Sequence, residues 1–323
     1  MRHFAHLLPG GPRIRLPVKM FVVDYRPVKK GHIVRTIQTA KPRAELKDFV
    51  RVFALREMTC TDAGYTQPIM AALEHIMAFE FGDSLTIEYG PGKSKVAPKI
   101  HAYGSQTSPY GCECFTGRHF AFGIFLRPLA SWQLFRIPLA TLADENFDGR
   151  DLLGNGIHTL WLRLAESKTF EQQIRVAEDY LLPFARNALA QTSIMRSARH
   201  TCRVKGAVRV EELAHNSGLS LRQYERRFEM EMGFTPKLFA RITRFQSALD
   251  TKRLSPRRSW LNVAHKLGYF DQMHMIRDFQ SLGGNVPSKV LQQSGDLQPW
   301  SVAPENPYDF PEARSAPLDQ ISH

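Results

Sequence analysis

The side chains with the clearest chemical potential lie in two segments near the C-terminus. Arg222 and Arg226 are four residues apart in the first segment. In the second segment, Arg277 occupies the position that corresponds to Arg226. Guanidinium groups donate paired hydrogen bonds to guanine edges and to phosphates. Because residues four apart share one face of a helix, the spacing predicts a helix that presents cationic donors on its outer face.

An internal repeat indicates which elements position these arginines. The stretch 210–218 returns as 260–268, fifty residues later, and the offset becomes fifty-one from the pair Ser220 and Asp271 onward. One residue has therefore been added in the turn after the glycine of the second copy. A repeat of this kind predicts two copies of one supersecondary unit. The pattern of the unit is typical of a helix-turn-helix.

The turn and cap residues support that interpretation. Gly218 and Gly268 are expected to end the first helix of each copy, because glycine takes the left-handed conformation without a steric penalty. Ser220 and Asp271 are predicted to cap the second helices, since their side-chain oxygens can accept hydrogen bonds from free backbone amides. Gln223, three residues after Ser220, completes a capping box.

Residues 208–292 resemble the DNA-binding domain of AraC/XylS-type bacterial transcription regulators. The first motif reads A-x3-G-x-S-x3-Y-x-R-x-F-x4-G-x2-P, and the second reads A-x3-G-Y-F-D-Q-x2-M-x-R-x-F-x4-G-x2-P. The resemblance implies two helix-turn-helix subdomains on a long linker helix, promoter DNA as the target, and an N-terminal domain that senses an effector or dimerises. Carried over by position, it implies these base-reading residues: Arg222, Glu225, Arg226, Gln272, Met273, Ile276 and Arg277.

The two motifs differ on their outer faces, and the charge favours DNA as the partner. Met273 and Ile276 are apolar and can contact the methyl group of thymine, whereas the first motif offers mainly charge. Residues 200–295 hold sixteen Lys and Arg against eight Asp and Glu, a net charge of +8 out of +12 for the chain. Cations that neutralise phosphates supply most non-specific affinity. The candidate phosphate contacts are Arg227, Lys252, Arg253, Arg257 and Arg258.

The predicted fold class is α+β, with a β-rich N-terminal domain before an all-α domain. Alternating runs at 85–89 and 120–126 predict strands, and Thr169 with Gln172 forms a further capping box before a helix. The helical domain, 200–295, divides into a first helix-turn-helix at 209–232, a linker helix at 236–253 and a second helix-turn-helix at 259–281.

The two ends of the chain have opposite charge. The basic N-terminal arm, 1–43, holds ten Lys and Arg against the single acid Asp24, and the sensing and dimerisation domain with its C-terminal helices is assigned to 44–195. The tail, 296–323, has five acids, five prolines and one base. Such a composition predicts disorder in the tail.

The remaining motifs do not predict catalysis. Cys112-x-Cys114, with His101 and His119 nearby, offers two thiols on one face of a strand, but zinc sites normally use C-x2-C spacing, so the cysteines are expected to be structural. Phosphate-binding glycine loops, nucleophile elbows and H-E-x-x-H helices are missing from the sequence. We therefore expect no enzyme activity, no cofactor and no metal.

The expected partners are double-stranded promoter DNA and a second copy of the chain, with RNA polymerase as a further candidate and no membrane. Four cysteines, the lack of an apolar run long enough for a bilayer and the lack of a signal peptide favour the cytoplasm. The effector, the operator and the sign of regulation stay open. Two alternatives also stay open: a metal-dependent enzyme domain tethered to DNA, and a non-specific nucleoid-associated binder.

Overall fold

The computed structural model describes residues 33–89 and 92–295, without the side chains of residues 33–35, 61–63 and 294–295. Most of the predicted basic arm and all of the predicted acidic tail lie outside these residues. The first half of the described chain is an antiparallel sheet with these strands: β1 Ile33–Ala40, β2 Val50–Ile69, β3 His75–Glu80, β4 Thr86–Glu88, β5 Ser94–Val96, β6 Ile100–Tyr103, β7 Gly111–Leu126 and β8 Asn146–Asp148.

The long strands β2 and β7 form the spine of this sheet. They pair antiparallel from Val50↔Leu126 to Ile69↔Gly111, and the strand order is β1-β2-β7-β3-β6-β8, with β4 joining β7 to β5. Their alternating large apolar residues put Phe53 and Phe122 on one face, where the two rings stack with centroids 6.0 Å apart. That face becomes the core of the N-terminal half.

Helices follow the strands. The N-terminal half ends with α1 Ala130–Phe135, α2 Leu139–Leu142, α3 Gly149–Leu153, α4 Asn155–Glu166 and α5 Phe170–Arg186. Thr169 Oγ1 accepts a hydrogen bond from the Gln172 amide at 3.3 Å, so α5 begins at a side-chain cap. Ala177 and Leu181 of α5 are fully buried against the sheet.

The C-terminal half of the described chain, residues 193–295, is built of helices. It contains α6 Ser193–Arg203, α7 Val210–Asn216, α8 Leu221–Met232, α9 Pro236–Leu254, α10 Trp260–Lys266, α11 Gln272–Gly283 and α12 Pro287–Gly295. The order of sheet and helices confirms the predicted α+β class. Among the described residues, no helix combines the length and the apolar character needed to cross a bilayer.

Two elements of the structure extend across the predicted domain boundaries. Residues 33–40, assigned to the basic arm, form β1 and pair with β2 from Ile33↔Cys60 to Ala40↔Phe53. The strand was missed because it is an edge strand whose polar Thr36 and Gln38 are exposed, which weakens the hydrophobic alternation. The helical half also starts before residue 200, since Ile194 and Met195 of α6 are buried in its core.

The two halves share a buried contact at the segment between β2 and β3. The Ala71 amide donates to the Leu282 carbonyl of α11 at 2.9 Å, and the side-chain amide of Gln246 in α9 donates to the Ala71 carbonyl. Met70 and Leu73 join the apolar core of the helical half. One short segment of the N-terminal half therefore contacts both the linker helix and the last helix-turn-helix.

A second contact joins α8 to α2. Gly233, which ends α8 with φ of 89°, lies so close to α2 that an added Cβ would stand 2.8 Å from Ala140 Cα. Leu139 of α2 and Met232 of α8 are buried in the same cluster. Glycine is required here both by its backbone angle and by the close approach.

His75, at the start of β3, follows the crossing segment in the chain and is hydrogen-bonded to two serines of the N-terminal half. Its Nδ1 lies 2.8 Å from Ser131 Oγ and its Nε2 lies 3.1 Å from Ser105 Oγ. Complete burial lowers the pKa of His75 to about 4, because the charged imidazolium would lose its hydration. The ring is therefore neutral at neutral pH and forms a polar bridge between Ser131 and Ser105.

Candidate nucleic-acid interface

The first helix-turn-helix consists of α7 and α8. Gly218 between them has φ of 67°, and the Leu219 amide donates back to the Ala214 carbonyl at 3.1 Å, which closes the end of α7. At the start of α8, the Gln223 amide donates to Ser220 Oγ at 3.4 Å, and the Ser220 amide donates to Gln223 Oε1 at 3.1 Å. This reciprocal pair fixes where α8 begins and which residues of its first turn face outward.

The inner face of α8 is anchored by aromatic residues. Tyr224 and Phe228 are buried, and the Tyr224 hydroxyl lies 2.6 Å from Ser197 Oγ of α6. Burial raises the pKa of Tyr224 to about 12, so the hydroxyl stays protonated and able to donate. With this side fixed, the opposite side of α8 is presented to solvent.

The second helix-turn-helix, α10 with α11, repeats this construction. Gly268 has φ of 70°, and the Tyr269 amide donates to the Ala264 carbonyl at 3.0 Å, as Leu219 does to Ala214 fifty residues earlier. The His274 amide donates to Asp271 Oδ1 at 2.6 Å at the start of α11. Tyr269 is thus the counterpart of Leu219.

The residue added in the second turn is therefore Phe270. Its side chain is 88% exposed, whereas Tyr269 beside it is buried. A solvent-exposed aromatic ring directly before the N-terminus of α11 is a functional candidate that the sequence interpretation missed. The signal was available in the change of offset from fifty to fifty-one, but the offset alone does not tell which residue is the added one.

A buried ion pair holds α11 against the linker helix. Arg241 Nε of α9 donates to Asp278 Oδ1 of α11 at 2.8 Å, and the Asp278 side chain is only 3% exposed. Phe279, one residue on, packs edge-on against Phe245 of α9 with ring centroids 4.8 Å apart. Because α9 also packs against α6 and α8, both helix-turn-helix units rest on one helix.

Most predicted base-reading side chains are on the free surface. Ile276 is half-buried, and Met273 is 54% exposed. The other members of the set are exposed on α8 or α11: Arg222, Glu225, Arg226, Gln272 and Arg277. The structure therefore brings the seven residues together as two patches, one on each second helix, and leaves both patches open to a large partner.

The predicted phosphate contacts separate into two groups. Arg227 and Arg257 are exposed and Arg258 is half-buried. Lys252 Nζ, by contrast, donates to the Pro256 carbonyl at 2.8 Å and to the Arg258 carbonyl at 2.5 Å. The ammonium group of Lys252 thus closes the turn between α9 and α10, and its contact with phosphate stays a prediction.

Arg253, for which a phosphate contact also stays a prediction, is paired within α9. Its Nη1 donates to Asp250 Oδ1 at 3.1 Å within α9, and only 20% of its side chain is exposed. Burial raises the pKa of Asp250 to about 6, while the Arg253 charge acts against that rise. The basic cluster alone predicts solvent-exposed side chains. The ion pair becomes evident only when Asp250, three residues before Arg253 on the same helix, is considered as well.

Two family models match the chain. Residues 213–293 match a helix-turn-helix domain, and residues 38–148 match a domain of unknown function (DUF6597). No curated protein shows significant sequence similarity to this chain.

Solved structures give remote similarities. The apo form of a ToxT variant from Vibrio cholerae is 8% identical, with 81% of this chain and 97% of ToxT covered at a TM-score of 0.45. Wild-type Vibrio cholerae ToxT bound to an unsaturated fatty acid is 8% identical, with 83% and 97% covered at a TM-score of 0.41. The AraC-like transcriptional activator CuxR is 12% identical, with 64% and 84% covered at a TM-score of 0.27.

The family assignment rests on the C-terminal half. The matched residues 213–293 cover the end of α7 through most of α12 and include both second helices. The two units have the same turn closure, the same glycine and a side-chain cap at the same place. Residues 213–293 are therefore a helix-turn-helix domain of the AraC type.

Proposed function

We propose that this regulator recognises specific promoter sequences by inserting α8 and α11 into successive major grooves on one side of the DNA. The observation that carries the proposal is the repeated presentation of a capped, aromatic-anchored helix whose outer face is exposed. Successive major grooves are about 34 Å apart along one face of the duplex. The 19 residues of α9 span about 28 Å at 1.5 Å per residue, so a bent target fits better than a straight one.

The two helices are proposed to read DNA by different chemistry. Arg222 and Arg226 give α8 two guanidinium donors, and Glu225 between them can accept from a cytosine amino group. The α11 surface combines the donors of Gln272 and Arg277 with the apolar Met273, Ile276 and Phe270. Methyl and aromatic groups suit thymine-rich steps, while Arg227, Arg257 and the half-buried Arg258 add charge for phosphates.

The test is a comparison of binding to two DNAs. We expect the purified protein to bind the region upstream of its own gene on the order of 10³-fold more tightly than a shuffled sequence of equal length and composition. Fluorescence anisotropy at one fixed salt concentration measures both affinities. A non-specific nucleoid-associated binder would instead give equal affinities that fall together as salt rises.

We also propose that the N-terminal half modulates this binding through its contacts with α8, α9 and α11. The segment around Ala71 is hydrogen-bonded to both α9 and α11, and α2 packs against the end of α8. These contacts restrain the helices that must adjust to the groove spacing. A ligand or partner of the N-terminal half that shifts the segment would therefore change affinity for DNA.

Gln246→Ala tests this modulation. The substitution removes the donor to the buried Ala71 carbonyl, and an unsatisfied buried carbonyl costs about 1–3 kcal/mol. Loss of this restraint on α9 is expected to raise the affinity for DNA by up to about tenfold. A tenfold change in affinity corresponds to about 1.4 kcal/mol, which lies within the cost of the lost hydrogen bond. Gln292→Ala, at an exposed position of α12, is the matched control. Equal DNA affinity of the two variants would remove this contact from the proposed mechanism.

The remaining assignments follow from the family resemblance. We propose that the protein acts in the cytoplasm as a homodimer, with RNA polymerase as a further candidate partner and an effector that is not identified. Sedimentation equilibrium on the full chain tests the dimer: a single species at the monomer mass, 36.9 kDa, at micromolar concentration would refute it.

A further inference from the structure

Three metal-binding side chains converge on the outer face of the sheet. Cys112 and Cys114 alternate along β7 and therefore point to the same face. Glu88 of β4 is the direct antiparallel partner of Cys112, so its side chain joins that face. One ligand atom from each residue lies within 4.8 Å of the other two.

The spacing of the donor atoms matches a tetrahedral cation. The two sulfurs are 3.7 Å apart, and Cys112 Sγ lies 3.8 Å from Glu88 Oε2. With Zn–S near 2.3 Å and Zn–O near 2.1 Å, a tetrahedral site needs sulfurs about 3.8 Å apart and a sulfur-to-oxygen distance of about 3.6 Å. The three side chains thus need only small rotations to close on one ion.

A disulfide fits this pair of cysteines less well. Residues two apart on a strand have Cα atoms about 6.6–6.8 Å apart, at the upper limit for a disulfide, and the sulfurs would have to approach from 3.7 Å to about 2.05 Å. Both cysteines are free thiols. Alternation along a strand also explains why the usual C-x2-C spacing of zinc sites, which comes from turns, is not required here.

The surroundings leave room for a fourth ligand. Both cysteines are half-buried and Glu88 is exposed, so the outer side of the site is open to water. The facing positions on the neighbouring strands are Thr66 and Thr86, beside Cys114, and neither carries a charge that would repel a cation.

The histidines that are near in sequence do not belong to this group. His101 is completely buried and stacks on Tyr103, with ring centroids 5.4 Å apart. His119 is also buried, and its Nε2 lies 2.9 Å from the Thr116 carbonyl oxygen. The donor set is therefore two thiolates and one carboxylate, and two thiolates select borderline or soft metals over Mg²⁺ or Ca²⁺.

We propose that Cys112, Cys114 and Glu88 bind one thiophilic divalent cation, Zn²⁺ or its analogue Cd²⁺, with water in the fourth position. The expectation from the sequence alone, that the cysteines are only structural, lacked the third ligand. Glu88 is twenty-four residues from Cys112, and only the pairing of β4 with β7 brings the two together. The metal site is separate from the DNA-binding surfaces, so its test does not depend on the proposed function.

The experiment is a metal titration of the full-length, reduced protein. Zn²⁺ is added in competition with a chromophoric chelator, and Cd²⁺ binding is followed by thiolate-to-metal charge-transfer absorption. We expect one equivalent per chain, with affinity at least tenfold weaker in Cys112→Ser and in Cys114→Ser and several-fold weaker in Glu88→Gln. Cys60→Ala, a buried thiol elsewhere in the sheet, and Glu57→Gln, an exposed carboxylate of β2, should bind as the wild type does.

Thiol reactivity gives a second readout that does not depend on variants. In the native protein the two half-buried thiols should react faster with a disulfide reagent than the buried Cys60 and Cys202, and one equivalent of Zn²⁺ should protect both. Absence of stoichiometric binding by the wild type would overturn the proposal. So would wild-type affinity for Zn²⁺ in both Cys112→Ser and Cys114→Ser, or thiol reactivity that Zn²⁺ leaves unchanged.

Discussion

The double substitution Arg226→Ala and Arg277→Ala is expected to weaken binding to the operator by about 2–6 kcal/mol, or from roughly thirtyfold to roughly 10⁴-fold. Each guanidinium lies exposed on its own second helix, and one bidentate contact with a base is worth about 1–3 kcal/mol. The two effects should add, because sites that are well separated and share no partner act independently. This is the largest functional effect that we expect.

Anisotropy titrations of the wild type, both single variants and the double variant measure the effect at one salt concentration. Arg163→Ala, which removes the same charge from the exposed side of α4 in the N-terminal half, is the control and should bind almost as the wild type does. Arg257→Ala should weaken all sequences equally and reduce the salt slope by about one. If both reader variants keep full affinity for the operator, the assignment of base-reading residues is wrong.

The helical half was predictable because its signals are local. Ser220, Asp271 and the two glycines act within one or two turns of chain, and a helix-turn-helix is specified by such short-range chemistry. The repeat then supplied the pairing that a single sequence usually lacks. Phe270 shows the limit of this reasoning, since the offset revealed an added residue, but the backbone hydrogen bond from Tyr269 was needed to decide which one it was.

The sheet and its contacts were harder to predict because they depend on long-range pairing. Residues 33–40 become a strand only when β2 lies beside them, and Glu88 meets Cys112 only through the β4–β7 register. Likewise, nothing in the apolar run around Ala71 indicates that it packs against α9 and α11 rather than its own sheet. Periodicity indicates that a segment is buried but not against which partner.

Phe279→Ala is expected to lower the free energy of unfolding of the helical half by about 3–5 kcal/mol, the usual cost of removing a fully buried phenylalanine. The ring packs edge-on between Phe245 of α9 and Trp260 of α10, with centroid distances of 4.8 and 5.4 Å. Its loss leaves a cavity where the linker helix meets both helices of the second unit. Urea unfolding followed by circular dichroism measures the change.

Phe270→Ala is the matched comparison, because it deletes the same ring nine residues earlier. That ring is 88% exposed, so its removal should change stability by less than about 0.5 kcal/mol. For DNA binding, we expect Phe270→Ala to alter the affinity while the fold stays intact. Phe279→Ala should weaken DNA binding only because α11 loses its packing against α9 and α10. A large loss of stability in Phe270→Ala would mean that the added residue holds the second turn together, and its proposed contact with DNA would then have no basis.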